Sequence, residues 1–218
     1  MSESTQQVKD FFDDYASKFS SIYHEEQKNP ITRMLDKTWR RSMFDRFKRV
    51  ASIIKEQDSK SVLDIGCGPG WHDVLIAKSQ DVHITGVDIA PNMIQIAESQ
   101  AKEHGVSEQC DFTVANVLEH SFEGTTFDVV FAVGVVEYFE KPEEILKIMH
   151  DLANKVAVFS IPVESHWLTP QRKIRYKLRN CPLWFYNESE INDLMSRIGV
   201  EKFTIERHSR DYLVLMQH

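Results

Sequence analysis

Gly66, Gly68 and Gly70 interrupt the chain directly after the apolar run Val62-Leu63-Asp64-Ile65, and no other feature restricts the fold as much. Glycine has no Cβ, so such a turn admits unusual backbone angles and lets a ligand approach the main chain closely. The run before it has strand character, and Trp71 to Ala77 after it has a helical pattern. The segment is therefore expected to be a strand–turn–helix junction whose helix offers free N–H groups at its start. A second run, Val82-His83-Ile84-Thr85-Gly86-Val87, ends in Asp88. In a doubly wound α/β sheet an acid at that strand tip grips a nucleoside ribose. The pair points to a nucleotide-type cofactor.

The dinucleotide fingerprint G-x-G-x-x-G needs a glycine where this chain has Trp71. The tighter G-x-G-x-G of Gly66, Gly68 and Gly70, preceded by Val-Leu-Asp-Ile, resembles motif I of the class I S-adenosylmethionine-dependent methyltransferases of small-molecule type. The resemblance continues through Gly86-Val87-Asp88-Ile89 with Pro91-Asn92-Met93, and through Phe127-Asp128-Val129-Val130 with Gly134-Val135-Val136-Glu137, over residues 60–162. It implies S-adenosylmethionine as cofactor and S-adenosylhomocysteine as product. Asp64 then holds the methionine portion, and Gly66, Cys67, Gly68 and Gly70 form the loop beside it. Asp88 accepts from both ribose hydroxyls, as an ionised carboxylate can. Ile89 and Met93 pack on adenine, where a polarizable thioether suits a flat heterocycle. Asn116 and Val117 follow the third strand beside adenine, Asn116 standing where the family commonly has an acid. Gly134 and Val135 lie at the cofactor's methionine end.

At 218 residues the chain suffices for one domain with one core. No apolar run approaches the roughly 20 residues of a membrane span. Met1-Ser2-Glu3-Ser4-Thr5 has no basic-then-apolar signal pattern. Cys67, Cys110 and Cys181 form no C-x-x-C pair, which fits a reducing compartment, and a cytoplasmic location is expected. A net charge of −7 weighs against broad nucleic-acid binding. The expected partner is a small-molecule substrate, with no nucleic acid and no metal; the oligomeric state is not legible.

An apolar stripe within residues 5–28 and a second within 31–55, separated by Asn29-Pro30, predict an N-terminal helical arm over residues 1–58. From Ser59 strands and helices alternate, which predicts a doubly wound, mostly parallel seven-stranded sheet, the Rossmann-like methyltransferase fold. Strands are expected at 61–65, 82–87, 110–115, 127–133, 155–161, 202–207 and 211–216, the last two as an antiparallel hairpin. Helices are expected near 71–78, 91–104, 142–152 and 187–198. The whole chain is read as one methyltransferase domain: arm, cofactor-binding core over 59–162, and substrate cap with C-terminal hairpin over 163–218. Residues 162–186 are expected to be an irregular functional loop or cap.

Methyl transfer to a high-pKa oxygen needs a base, whereas a carboxylate or phenolate does not. Glu137, Tyr138, His166 and His72 are the candidates for base or orienting group. The resemblance also implies that the arm closes over the cofactor, with Tyr15, Phe19 and Tyr23 as lid aromatics. Arg172, Lys173, Arg175, Lys177 and Arg179 run through the cap without an intervening acid. They read either as a solvated amphipathic helix or, through Arg175 and Arg179, as part of a pocket for an aromatic or anionic acceptor. The favoured function is O-methylation of such a small molecule. An RNA or protein methyltransferase and a non-catalytic cofactor-binding module are the alternatives.

Overall fold

The computed structural model describes residues 5–13, 16, 44–179, 181–208 and 210–218. Residues 5–13 form the first described helix, α1, and residues 44–56 the second, α2. There follow β1 (Ser61–Ile65), α3 (Trp71–Ser79), β2 (His83–Asp88), α4 (Pro91–Glu103), β3 (Cys110–Val114) and β4 (Phe127–Ala132). A short 3₁₀ turn, Val136–Tyr138, leads into α5 (Glu143–Leu152) and β5 (Ala153–Pro162). The chain ends with α6 (Thr169–Lys177), α7 (Glu188–Ile198), β6 (Phe203–His208) and β7 (Asp211–Gln217).

The strands form one seven-stranded sheet in the order β3-β2-β1-β4-β5-β7-β6. All neighbours from β3 to β5 are parallel, and β7 runs antiparallel to both β5 and β6. Strand order reverses between β1 and β4, and ligands of open α/β sheets bind in the crevice beyond the strand ends there.

The period of two along each strand assigns its residues to two cores. Leu63 and Ile65 of β1 and Val130 and Ala132 of β4 pack with Ile145, Leu146 and Met149 of α5 and with Ile191, Leu194 and Met195 of α7. Val62, Val129 and Phe131 face the opposite way, onto Val50, Ile53 and Ile54 of α2 and Val74 and Ala77 of α3. The central strands are thus covered on both faces, which explains their near-continuous apolar runs. Helix α7 begins with a capping box: Asn187 accepts from Glu190 N–H at 3.0 Å, while the Glu190 carboxylate accepts from Asn187 N–H at 2.8 Å. Gly199, at φ 76°, ends it in the left-handed conformation.

One expectation needs correction. Residues 162–186 are not irregular throughout, because α6 lies within them. Its apolar residue Ile174 points to solvent, as does Leu178 just beyond its end, and it is held by the ion pairs of Arg172 and by Thr169 Oγ1 donating to Val163 O at 3.0 Å, so no apolar periodicity announces it. Among the described residues no helix is long and apolar enough to cross a membrane.

Candidate functional site

The glycine turn closes on its own backbone. Gly66 and Cys67 N–H both donate to Val87 O, at 2.7 and 3.2 Å, and Gly70 N–H donates to Cys67 O at 3.1 Å. Gly68 N–H donates to Asp88 Oδ2 at 2.9 Å. With these four donors occupied, this part of the turn offers no nest for a pyrophosphate. Gly66, Gly68 and Gly70 all have positive φ. A Cβ on Gly66 would collide with Val135 at 2.3 Å, whereas one on Gly68 or on Gly134 would meet no atom of the described residues within 4 Å. Gly68 at the end of β1 and Gly134 at the end of β4 therefore border open space at the switch point.

Asp88 is held by Gly68 N–H and by Ala90 N–H, the latter at 2.8 Å to Oδ1. Burial raises its pKa, and these donors oppose that rise. Each carboxylate oxygen keeps a further lone-pair site for a ribose hydroxyl. Asp64, at the end of β1, and Asp73, in the first turn of α3, are both buried. The two carboxyls are close enough to influence each other, and neither oxygen of Asp73 has a hydrogen-bond partner among the described residues. Burial raises both, Asp73 to about 7, and the charge of Asp73 raises Asp64 further. No described lysine or arginine pairs with Asp64, Asp73 or Asp88. A crevice whose buried acids lack a described cationic partner, with open space beside two glycines, fits a cationic, phosphate-free nucleoside such as S-adenosylmethionine. It does not fit a dinucleotide.

On the α4 side, Met93 is buried and packs with Ala90 and with Ala16 of the N-terminal segment, while Ile89 is half-buried. Asn116 Oδ1 accepts from Leu118 N–H at 3.3 Å, and Val117 faces the α5–α7 core. Helix α1 spans the crevice: Asp13 Oδ1 accepts from Asn92 N–H at 3.1 Å, and Phe12 meets the Tyr138 ring edge-on at 5.3 Å. Phe11 packs on Tyr176 of α6 at 6.0 Å. Tyr15, Phe19 and Tyr23 lie outside the described residues.

The other half of the crevice edge, at the ends of β4, β5 and β7, is built from aromatic rings and guanidinium groups. Tyr138 and Tyr176 bring their hydroxyls to 3.4 Å. Burial pushes the Tyr138 phenol well up, so it stays protonated. Arg172 of α6 donates to Glu137 Oε1 at 3.0 Å and to Asp211 Oδ1 at 3.1 Å. Arg46 of α2 donates to Ser160 Oγ at 3.1 Å and lies 3.5 Å from Asp211 Oδ2. Ser160 Oγ in turn accepts from Gly134 N–H at 2.8 Å, which ties the cluster to the cofactor side. Arg210 lies 3.9 Å from Asp211, and Arg175 is within electrostatic reach of Arg210. Among the described residues, the Nε atoms of Arg46, Arg175 and Arg210 and Oε2 of Glu137 are buried without a hydrogen-bond partner. Burial raises Glu137, and Arg172 opposes the rise. Burial acts the same way on Asp211, but Arg46, Arg172 and Arg210 outweigh it and hold its carboxyl below the usual range.

The remaining expected groups lie as follows. His166 Nδ1 accepts from Leu168 N–H at 3.2 Å, so its neutral ring carries the proton on Nε2. His72 stacks on Phe47 under α2, and burial lowers it to about 3. Arg175 lies over the Tyr176 ring at 5.4 Å, and Arg179 is exposed past the end of α6. Sequence reasoning did not single out Asp73, Arg46, Arg210, Asp211 or Ser160. An acid in a first helical turn reads as a dipole complement, and Arg46 reads as part of a solvated basic face.

Residues 56–193 match the family model described as a methyltransferase domain. Ajmaline N-methyltransferase of Rauvolfia serpentina is 26% identical over 166 residues, 72% of this chain and 57% of that protein. O-methyltransferase rstn1 of Aspergillus nomiae is 38% identical over 86 residues, 39% of this chain and 38% of that protein. The chain thus spans about half the length, or less, of these curated relatives. Among solved structures, magnesium protoporphyrin IX methyltransferase from Synechocystis PCC 6803 with bound S-adenosylhomocysteine superposes with a TM-score of 0.77 at 19% identity, covering 99% of this chain and 100% of that one. The chain belongs to the methyltransferase domain family, and its fold is that of the class I S-adenosylmethionine-dependent methyltransferases.

Proposed function

We propose that this chain transfers the methyl group of S-adenosylmethionine to an oxygen of a small aromatic or anionic acceptor. The observation that carries the reading is the division of the sheet edge. An anionic half at the ends of β1 and β2 suits a cationic cofactor. An aromatic and guanidinium-rich half at the ends of β4, β5 and β7 suits the acceptor. Curated relatives bear both N- and O-methyltransferase names, and the excess of positive charge favours an oxygen acid over an amine.

The cofactor supplies a methyl group on a sulfonium, open to in-line displacement. The chain's own residues then have to align the acceptor and keep water out. Asp64 and Asp73 face the cationic end, Asp88 accepts from the ribose, and Gly134 and Val135 border the methionine end. Phe11, Phe12, Tyr138 and Tyr176 form the apolar wall, with the tyrosine hydroxyl pair orienting the acceptor oxygen. Glu137 Oε2 is the proton acceptor for an alcohol or phenol, and a carboxylate acceptor leaves it idle. Residues 1–58 act as the arm, 59–162 as the cofactor core and 163–218 as the cap and hairpin.

Tritiated S-adenosylmethionine offered with a panel of phenols, carboxylic acids and amines tests the reading. Label in an ether, or in an ester that releases volatile methanol in base, supports it. Label confined to amines overturns the oxygen assignment, and no transfer with intact cofactor binding overturns the enzymatic one.

A further inference from the structure

The guanidinium cluster contains more positive charge than its fold requires. Arg46, Arg172, Arg175 and Arg210 converge from α2, α6 and the start of β7, and Glu137 and Asp211 are the carboxylates within reach among the described residues. Asp211 is shared by Arg46, Arg172 and Arg210, and Arg172 alone also takes Glu137. With both acids ionised, two positive charges remain uncompensated. Burial lowers Arg210 to about 10; Asp211 opposes the shift, and Arg172, Arg46 and Arg175 add to it.

Unpaired buried guanidinium N–H groups are costly, because desolvation is not repaid unless a partner is present. Among the described residues, Nε–H of Arg46, Arg175 and Arg210 makes no hydrogen bond, Arg210 Nε standing 3.9 Å from Asp211 Oδ2, and the Arg46 residue is only 7% exposed. Arginine's planar fork matches the two or three oxygens of a carboxylate or phosphate. The cluster stands at the C-terminal end of the sheet, joined through Ser160 to Gly134 and flanked by Tyr138 and Tyr176. Extending the function proposed above, we infer that Arg46, Arg175 and Arg210, with Arg172 as the brace, form a subsite for an oxyanion group of the acceptor, a carboxylate or a phosphate. The rings of Tyr138 and Tyr176 cover its organic portion.

The test is calorimetric titration of the full chain saturated with S-adenosylhomocysteine. The probes are 3-phenylpropionate, phenyl phosphate and the neutral 3-phenylpropionamide. At least one anion is expected to bind about tenfold or more tightly than the amide. Arg210→Gln and, separately, Arg175→Gln are expected to weaken that anion about tenfold while leaving S-adenosylhomocysteine affinity within about twofold. Binding of only the carboxylate or only the phosphate identifies the anion. Equal binding of anion and amide, no binding of any probe, or anion affinity unchanged in both variants overturns the subsite. Failure of S-adenosylhomocysteine itself to bind overturns the cofactor reading instead. Arg175 lies on the surface helix α6, so its variant remains informative should Arg210→Gln not fold.

Discussion

Arg172 and Glu137, thirty-five residues apart, meet at 3.0 Å with the glutamate side chain only 2% exposed and the arginine 12%. This contact fastens α6 to the turn after β4. Removing the arginine leaves the buried Glu137 carboxylate without its cation, while Asp211 keeps Arg46 and Arg210. Arg172→Gln is therefore expected to destabilise the fold by about 3–5 kcal/mol, read as a lower denaturation midpoint in urea. Glu137→Gln should cost less, because Arg172 keeps Asp211. A double-mutant cycle should return a coupling of about 0.5–3 kcal/mol, and strict additivity would mean that the pair holds nothing together.

Asp73 makes cofactor affinity dependent on pH. Its folded value near 7 lies above the ordinary 3.8, so the empty crevice holds a proton that a cationic ligand displaces. S-adenosylmethionine affinity is expected to rise with pH as the Asp64–Asp73 pair loses its protons, from below neutrality upwards. S-adenosylhomocysteine, which lacks the sulfonium charge, should rise less. Proton release, measured by titration in buffers of different ionisation enthalpy, should accompany S-adenosylmethionine binding at pH 6.

The same acid costs stability as pH rises. A carboxyl with a raised folded pKa binds more protons when folded than when unfolded, so its cost grows from pH near 3.8 up to about 7. Asp73→Asn should be more stable than the parent at pH 8 and no more stable at pH 3. A gain of equal size at both values would assign the effect to packing.

Asp88→Ala removes both the proposed ribose acceptor and the partner of Gly68 and Ala90 N–H. A hydrogen bond to a charged group contributes about 1.5–3 kcal/mol, so the dissociation constant for S-adenosylmethionine should rise roughly tenfold to a hundredfold. Unchanged affinity would remove Asp88 from the cofactor site.

Two glycine substitutions should separate packing from ligand approach. A Cβ on Gly86 would stand 2.6 Å from Phe112 and 3.0 Å from Cys67 Sγ. Gly86→Ala should cost about 1–3 kcal/mol of stability through overpacking. A Cβ on Gly68 meets no atom of the described residues within 4 Å, although φ there is +54°. Gly68→Ala should pay only the left-handed backbone penalty of about 1–2 kcal/mol and lose cofactor affinity disproportionately. Thermal denaturation with and without S-adenosylhomocysteine distinguishes the two.

The parallel half of the fold was legible because its signals are local. Runs such as Val62–Ile65 and Phe127–Ala132 are covered on both faces and read as strands without alternation. Glycines and acids mark the turns between them. Helix α6 was hidden because tertiary ion pairs order it rather than an apolar stripe. Arg46 was misjudged for the related reason that only the folded chain brings Asp211, far along the sequence, opposite it. The proximity of Asp64 and Asp73 needed the turn geometry, since either acid alone has an ordinary explanation at a strand end or in a first helical turn.

In the function proposed above, the cofactor half of the crevice comes largely from one uninterrupted stretch, Asp64 to Met93, whereas the acceptor half is gathered from α1, α2, the turn after β4, β5, α6 and β7. A lineage can therefore rework the second half by point changes in scattered segments while the first is inherited whole. New acceptors become reachable by recombining arms and caps around a constant nucleoside grip, and the same seam is where an engineer would cut.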